Sequence, residues 1–377
     1  MVVLGYSRRH FRFFTRLIHN LVCFADPTSL RLKATQPVYI KTSTHFPYYI
    51  IILCYNMLMI IFLQLLLLVG GFILLIKGAD FFVDGASSTA SNFKIRKSLI
   101  GLTIVAFGTS APELAVSIKA LASGSTDLVL GNVIGSNIIN ILLILGLAAV
   151  IRPLAIKKDT IRKEIPICIL ISSLLVVLFL DVQLNAAPIN QITRSDGLAI
   201  LLFFAVFLYY LISTALHAKD KNLKEKPRWP LGKSLLFTLL GLAGVVIGSH
   251  FVVESAVFLA TALGISERVI ALSVIALGTS LPELVTTIAA SRKGEAELAI
   301  GNILGSNIFN ICIVLGLPVA IFGAVTPSSF AAIDLFTLVW SALLLLFFSL
   351  SSRKIARKEG FMMLAMFCVY YLLVFIA

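Results

Sequence analysis

From Tyr48 to the C-terminus, long apolar runs alternate with short polar stretches that are often basic. A helix that crosses a bilayer needs about 20 mostly apolar residues. The pattern predicts ten of them, at 57–90, 97–121, 126–150, 161–181, 196–217, 231–262, 268–291, 296–322, 331–351 and 358–377. The first is long, and its second half turns polar around Lys77, Asp80 and Asp84. Lys77 can pair with Asp80 or Asp84 on one helix face. These residues, and Glu254 on the sixth span, are expected to serve structure or gating rather than to hold an ion. The charged stretch His217 to Arg228 separates the fifth and sixth spans. The expected fold is thus an all-α polytopic membrane protein, with halves at 57–217 and 231–377 and a basic linker at 218–230.

Residues 1–56 do not follow the pattern. They carry Arg8, Arg9, Arg12, Arg16, Arg31, Lys33 and Lys41, and they lack the apolar core and small-residue cleavage site of a secretory signal. The natural protein is expected to start near Met57 or Met59. The upstream extension then reads as a gene-start artefact or a disordered tail; a genuine short N-terminal arm is the alternative.

Composition narrows the class. The 377 residues are 59% hydrophobic and only 13% charged, with a mean hydropathy of +1.01. A soluble domain cannot hide that much apolar surface. The net charge of +13 sits between the apolar runs, where it sets membrane orientation rather than marking a nucleic-acid partner. One set of loops holds Lys94, Arg96, Lys97; Arg152, Lys157, Lys158, Arg162, Lys163; the central cluster Lys219, Lys221, Lys224 and Lys226 with Arg228 and Lys233; Arg292, Lys293; and Arg353, Lys354, Arg357, Lys358. The other set holds only Lys119, Arg194 and Arg268. The first set is therefore expected to face the cytoplasm. Both ends of the ten-span core then lie on the outer side of the inner membrane. The five cysteines form no CxxC pair and the five histidines do not cluster, so neither a disulfide framework nor a thiolate metal site is indicated.

The chain repeats itself. Gly108-Thr-Ser-Ala-Pro-Glu113 recurs as Gly278-Thr-Ser-Leu-Pro-Glu283, an offset of 278 − 108 = 170. Gly131-Asn-Val-Ile-Gly-Ser-Asn-Ile-Ile-Asn140 recurs at the same offset as Gly301-Asn-Ile-Leu-Gly-Ser-Asn-Ile-Phe-Asn310. The repeats occupy about 97–150 and 268–322, and about half the positions from Leu102 to Leu147 match their partners. One repeat step spans five crossings. Five is odd, so the second copy must be inverted, an architecture of secondary transporters with a site between the halves.

Glu113 and Glu283 each fall within an apolar span. A carboxylate at mid-membrane costs several kcal/mol unless paired, solvated or protonated. No Lys or Arg lies near either in sequence, so a mobile cation is the expected partner; a protonated, structurally hydrogen-bonded Glu is the alternative. Pro112 and Pro282 loosen the helix just before them. They free backbone oxygens around Thr109 and Thr279, which is tolerated at depth only beside a cavity or packed protein. Such oxygens suit calcium and sodium. Ala106, Thr109 and Glu113 share one helix face, as do Ala276, Thr279 and Glu283. Ser110 and Ser280 add hydroxyls. Asn132, Ser136, Asn140 and Asn302, Ser306, Asn310 form matching polar stripes. Interhelical hydrogen bonding is the other role open to these residues, above all to Asn132 and Asn302. Gly131 with Gly135, and Gly301 with Gly305, make faces that admit close helix approach.

These doubled motifs resemble the two α-repeats of the cation/calcium antiporter superfamily, especially its bacterial and archaeal sodium/calcium exchangers. The resemblance covers about residues 57–377. It implies ten transmembrane helices in two inverted five-helix repeats, with ions bound mid-membrane between the second, third, seventh and eighth helices. It implies central roles for Glu113 and Glu283. It also implies ligand roles for Ala106, Thr109, Ser136 and Asn140 and for Ala276, Thr279, Ser306 and Asn310, the alanines acting through backbone carbonyls. Some exchangers have Asp where this chain has Asn310, which bears on ion stoichiometry and potassium dependence. The family's large regulatory calcium-binding loop has no counterpart in the short basic linker.

The expected function is sodium/calcium antiport by alternating access, with no cofactor and a monomer sufficing. Proton/calcium exchange on the same glutamates is the alternative, and a cation channel a further one. An intramembrane enzyme is not expected, since Ser110 and Ser280 have no His nearby in sequence.

Overall fold

The computed structural model describes residues 46–217, 226–265, 276–326 and 332–376. The sequence expectations for residues 1–45, for most of the basic linker and for the start of the seventh span lie outside the described residues. The chain divides into two compact units, Met1–Met57 and Leu58–Ala377. The described part of the first is helical, and all packing given below belongs to the second.

Thirteen helices occur among the described residues: α1 (Phe46–Phe93), α2 (Lys97–Thr109), α3 (Ala111–Ala122), α4 (Thr126–Ile151), α5 (Ile165–Phe179), α6 (Asp181–Asn185), α7 (Arg194–His217), α8 (Leu231–Ala262), α9 (Ala276–Thr279), α10 (Leu281–Lys293), α11 (Ala296–Phe322), α12 (Ala332–Ser352) and α13 (Arg357–Ile376). The first begins at Phe46, upstream of the expected boundary near Met57. Six are long and apolar enough to cross a membrane, or seven if α2 and α3, bent by 45°, form one broken span. The other predicted spans are also helical where described. However, α5 is entered through a π-helical turn, Thr160–Glu164, that carries Arg162, Lys163 and Glu164, α9 is four residues at the edge of an undescribed stretch, and α13 opens with Arg357, Lys358 and Glu359.

Burial sorts the helices into centre and periphery. The most apolar windows of α4 and α11 are 72% and 78% buried, against 11% and 17% for α1 and α7. Phe62, Leu66 and Ile73 on α1, and Leu202 and Val206 on α7, point outward with more than half their surface exposed. Apolar patches of that extent are a liability in water and the ordinary surface in lipid. The chain is a membrane protein, and α4 and α11 run through its centre.

The long helices α1 and α8 cross with backbones in direct contact. A Cβ added at Gly78 would lie 2.7 Å from Val245 N, and one at Gly248 would lie 2.6 Å from Leu75 N. Gly71 meets Gly248 and Gly78 meets Gly241. The repeat offset maps Gly71 onto Gly241 and Gly78 onto Gly248 (71 + 170 = 241; 78 + 170 = 248). Each glycine thus touches the repeat-partner of the other, the pairing that a two-fold axis produces. Because Gly71 meets the later residue and Gly78 the earlier, α8 runs antiparallel to α1.

The loops sort by end. A two-stranded antiparallel ladder joins β1 (Leu154–Ala155) to β2 (Lys354–Ile355). Nearby ion pairs link Lys97 to Glu295 at 2.8 Å, Lys157 to Glu297 at 2.8 Å and Arg228 to Asp84 at 2.6 Å. All these basic residues belong to the lysine- and arginine-rich loop set. At the other end of α4, Thr126 donates to Thr326 O at 3.0 Å, and Ile192 pairs with Val325.

Candidate functional site

Both proline motifs break their helices at the same residue. Ser110 leaves helical geometry at φ −86°, ψ 5° and Ser280 at φ −88°, ψ 7°. Pro112 and Pro282 sit at the start of the next helix, where the first N–H groups have no helical acceptor and proline is tolerated. Glu113 and Glu283 fall in the first turn of α3 and α10. There the helix dipole favours a carboxylate. The break therefore supplies positively polarised helix ends as well as loosened carbonyls.

The glutamates are buried inside the protein, Glu113 being 1% and Glu283 0% exposed. Helix α3 packs against the π-helical turn Asn310–Leu315 of α11, and α10 packs against the π-helical turn Ile139–Leu145 of α4. Each Glu-bearing helix thus meets the polar stripe of the opposite half. Ser110 Oγ donates to Glu283 Oε1 at 2.9 Å, and Ser306 Oγ donates to the same oxygen at 3.3 Å. Thr109 Oγ1 lies 3.3 Å from Ala106 O, 3.2 Å from Asn302 Oδ1 and 3.4 Å from Ser306 Oγ. Ala106, Thr109, Ser110, Glu283 and Ser306 are thereby gathered into one cluster.

The remaining candidates sit around it. Ser136, Asn140, Ser280 and Asn310 are all buried, and Thr279 Oγ1 lies 3.5 Å from Asn132 Oδ1. Ala276 starts α9, and its side chain is outside the described residues. Asn132 donates to Glu113 O at 3.3 Å and to Ser117 Oγ at 3.1 Å, while Asn302 donates to Thr287 Oγ1 at 3.0 Å. Both asparagines act as struts between neighbouring helices. Gly301 and Gly305 bring α11 onto α2, where added Cβ atoms would lie 2.6 Å from Ser98 O and from Ala106 Cβ. The stretch that the repeat sets against Gly131 and Gly135, residues 268–275, is not described.

Several buried polar atoms make no hydrogen bond. These include both carboxylate oxygens of Glu113, Oε2 of Glu283, Oδ1 of Asn140, both amide atoms of Asn310 and Oγ of Ser280. Each such group costs about 1–3 kcal/mol when left unpaired, and charged groups cost more. Nearly all are oxygens, the ligand type that calcium and sodium take. Among the described residues no three His, Cys, Asp or Glu side chains gather to hold a metal. Glu113 and Glu283 are the ionisable members of the candidate set, and the other donors are neutral.

Two features escaped sequence reasoning. The π-helical turns beginning at Ile139 and at Asn310 belong to a class of helix irregularity often found at functional sites. Asn137 and Asn307 also lie buried between the halves. In addition, Asp80 and Asp84 do not pair with Lys77. Lys293 Nζ lies 3.4 Å from Asp80 and 2.8 Å from Asp84, and Arg228 reaches Asp84 at 2.6 Å. Helix packing holds these cations against the carboxylates, while Lys77 stays exposed on α1. Together with Ser87, Lys97 and Glu295 they line a polar cavity of about 630 Å³. Glu254 faces His250, 3.4 Å away on the exposed side of α8.

Known proteins resemble the chain in sequence and in fold. The family described as sodium/calcium exchanger protein matches residues 63–213 and 233–376. CaxA of Alkalimonas amylolytica is 42% identical over 315 residues, covering 81% of this chain and 96% of that one. Sodium/calcium exchanger MaX1 of Methanosarcina acetivorans is 34% identical over 344 residues, covering 81% and 96%. A solved structure of the sodium-calcium exchanger NCX_Mj superimposes with a TM-score of 0.72 at 32% identity, covering 82% of this chain and 98% of that chain. The chain belongs to the sodium/calcium exchanger protein family.

Proposed function

We propose that the chain is a secondary antiporter that exchanges sodium for calcium across the inner membrane by alternating access. It works as ten transmembrane helices in two inverted five-helix halves. The observation that carries this reading is a pair of buried glutamates, one from each half, on helices that pack against the opposite half's π-helical turn and with carboxylate oxygens that make no hydrogen bond to the protein. Two negative charges balance one calcium ion. Sodium ions competing for the same oxygens balance them as well. Cargoes that share ligands exclude each other, and an empty, doubly negative site resists passage through a low-dielectric barrier. Both properties enforce exchange rather than leak.

Ala106, Thr109, Ser110, Glu113, Ser136 and Asn140, with Ala276, Thr279, Ser280, Glu283, Ser306 and Asn310, form the ligand set of this reading. Displacement of α1 and α8 along their glycine seam exposes the site to each side in turn. The ion pairs of Lys293, Arg228 and Lys97 close the end that bears the basic loops, which the positive-inside rule assigns to the cytoplasm. The transported ions are the substrates, and a monomer suffices.

Calcium uptake into inverted vesicles, with sodium, potassium and proton gradients applied separately, tests the reading. Uptake driven by the sodium gradient is expected. Uptake driven by a pH gradient and indifferent to sodium would assign proton exchange instead, and calcium flux without any counter-ion would assign a channel.

A further inference from the structure

Asn307 of α11 grips α4 with both ends of its amide. Its Nδ2 donates to Asn137 O at 3.2 Å, and its Oδ1 accepts from Asn140 Nδ2 at 3.0 Å. The sense of this chain is fixed. A main-chain carbonyl can only accept, so the NH2 of Asn307 must face Asn137. Its Oδ1 then faces Asn140, and Asn140 must present its own NH2 in return. The carbonyl oxygen Oδ1 of Asn140 is left buried and unpaired. Asn137 stands just before the π-helical turn Ile139–Leu145, where the hydrogen-bond ladder changes register.

The repeat partner of this grip is absent. The offset maps Asn137 onto Asn307 and Asn140 onto Asn310 (137 + 170 = 307; 140 + 170 = 310). Symmetry would have Asn137 hold Asn310. Instead Asn137 Nδ2 donates to Val133 O at 2.7 Å within its own helix, and neither amide atom of Asn310 has a partner. One amide of the site is clamped, and the other is not.

We infer that Asn307 is a positioning residue that commits the NH2 of Asn140 to the protein, so that Asn140 meets the transported cation through oxygen. An unclamped amide can turn its NH2 toward a cation and repel it. The inference deepens the antiport reading and rests on Asn140 being a cation ligand.

The test is a double-mutant cycle on the full-length protein in detergent, with transport measured alongside in vesicles. The readout is the concentration of Ca2+, and separately of Na+, that half-maximally raises Tm. Asn307→Leu is expected to raise that concentration for Ca2+ about tenfold, the scale of one misdirected hydrogen-bonding group at a charge. Asn140→Asp presents oxygen whichever way it turns, so it needs no clamp. In the Asn140→Asp background, Asn307→Leu is expected to shift the midpoint less than about twofold, a loss of coupling that a cycle isolates. An equal penalty in both backgrounds means that Asn307 serves packing alone and overturns the inference. An unchanged midpoint in the single variant overturns it too. Where Asn307→Leu gives no monodisperse protein, Asn307→Ala supplies the same comparison. If neither Ca2+ nor Na+ stabilises the unaltered chain, the antiport reading falls and takes this inference with it. If they do and the cycle shows no coupling, only the inference falls.

Discussion

Ser110 and Glu283 lie 173 residues apart in sequence and are joined by a 2.9 Å hydrogen bond between the two halves. The repeat-related pair, Ser280 and Glu113, makes no such bond: Ser280 Oγ and both Glu113 oxygens are buried and unpartnered. Two closely matching motifs therefore present two different carboxylates, one with an oxygen held by hydroxyls and one with neither oxygen partnered.

This asymmetry predicts unequal effects of equivalent substitutions. Ser110→Ala removes one of the two hydroxyl donors to Glu283 Oε1, leaving Ser306. It is expected to change the KM for calcium by about three- to tenfold, the range for a hydrogen bond to a charged group. Ser280→Ala removes a hydroxyl that holds no protein group and is expected to have the smaller effect on stability without ions. Measuring KM together with ion-free Tm for both variants checks the ordering, and equal Tm losses would contradict it.

Asn310 is neutral where some exchangers carry Asp. Asn310→Asp adds a third negative charge beside Glu113 and Glu283. The ion load that neutralises the site rises by one charge. The reversal potential of exchange, measured in proteoliposomes at fixed sodium and calcium gradients, is expected to shift because more monovalent cation moves per calcium. An unchanged reversal potential would place Asn310 outside the ligand set.

The α1–α8 seam predicts a steric effect far from the ions. Gly78→Leu places a side chain where even a Cβ lies 2.7 Å from Val245 N. Overpacking of this kind costs about 1–3 kcal/mol or more. A fall in Tm with loss of transport is expected, whereas Gly70→Leu, with nothing within 4 Å of an added Cβ, should be tolerated.

The ion pairs at the basic end predict a change in access. Asp84→Asn removes the carboxylate shared by Lys293 and Arg228. If this pairing holds that end closed by about 1 kcal/mol, the open fraction rises about fivefold on its loss. The KM for calcium presented from the basic-loop side is then expected to fall by two- to fivefold, since apparent affinity scales with the competent fraction. An unchanged KM at low ionic strength, where the pairing is strongest, would contradict a latch.

The repeat was legible because duplication kept Glu113, Glu283 and their Gly-Thr-Ser-x-Pro frames at one offset, but the continuous helix face expected for Thr109 and Glu113 is interrupted at Ser110, and Thr109 lies instead against Asn302 and Ser306. The π-helical turns at Ile139 and Asn310 were not legible. They differ from α-helix by one step of hydrogen-bond register, which no residue type encodes. Nor was the grip of Asn307 on Asn140, because it depends on how deeply α11 settles against α4. The partners of Asp84 are set by packing in the same way. Lys293 lies more than 200 residues away, and only packing of α10 beside α1 makes it nearer than Lys77. The glycine seam left a visible trace, the seven-residue steps Gly71, Gly78, Gly85 and Gly241, Gly248, which becomes meaningful once α1 and α8 are seen to cross.

Sodium-driven 45Ca2+ uptake by the unaltered chain and by Glu113→Gln and Glu283→Gln is the most direct measurement. Each substitution removes one of the two repeat-related buried carboxylates while keeping shape. Loss of about a hundredfold or more in calcium exchange is expected from either, the scale of an unmatched charged contact, with both proteins still folded and monodisperse. Normal exchange in both variants would contradict a site built on the two glutamates.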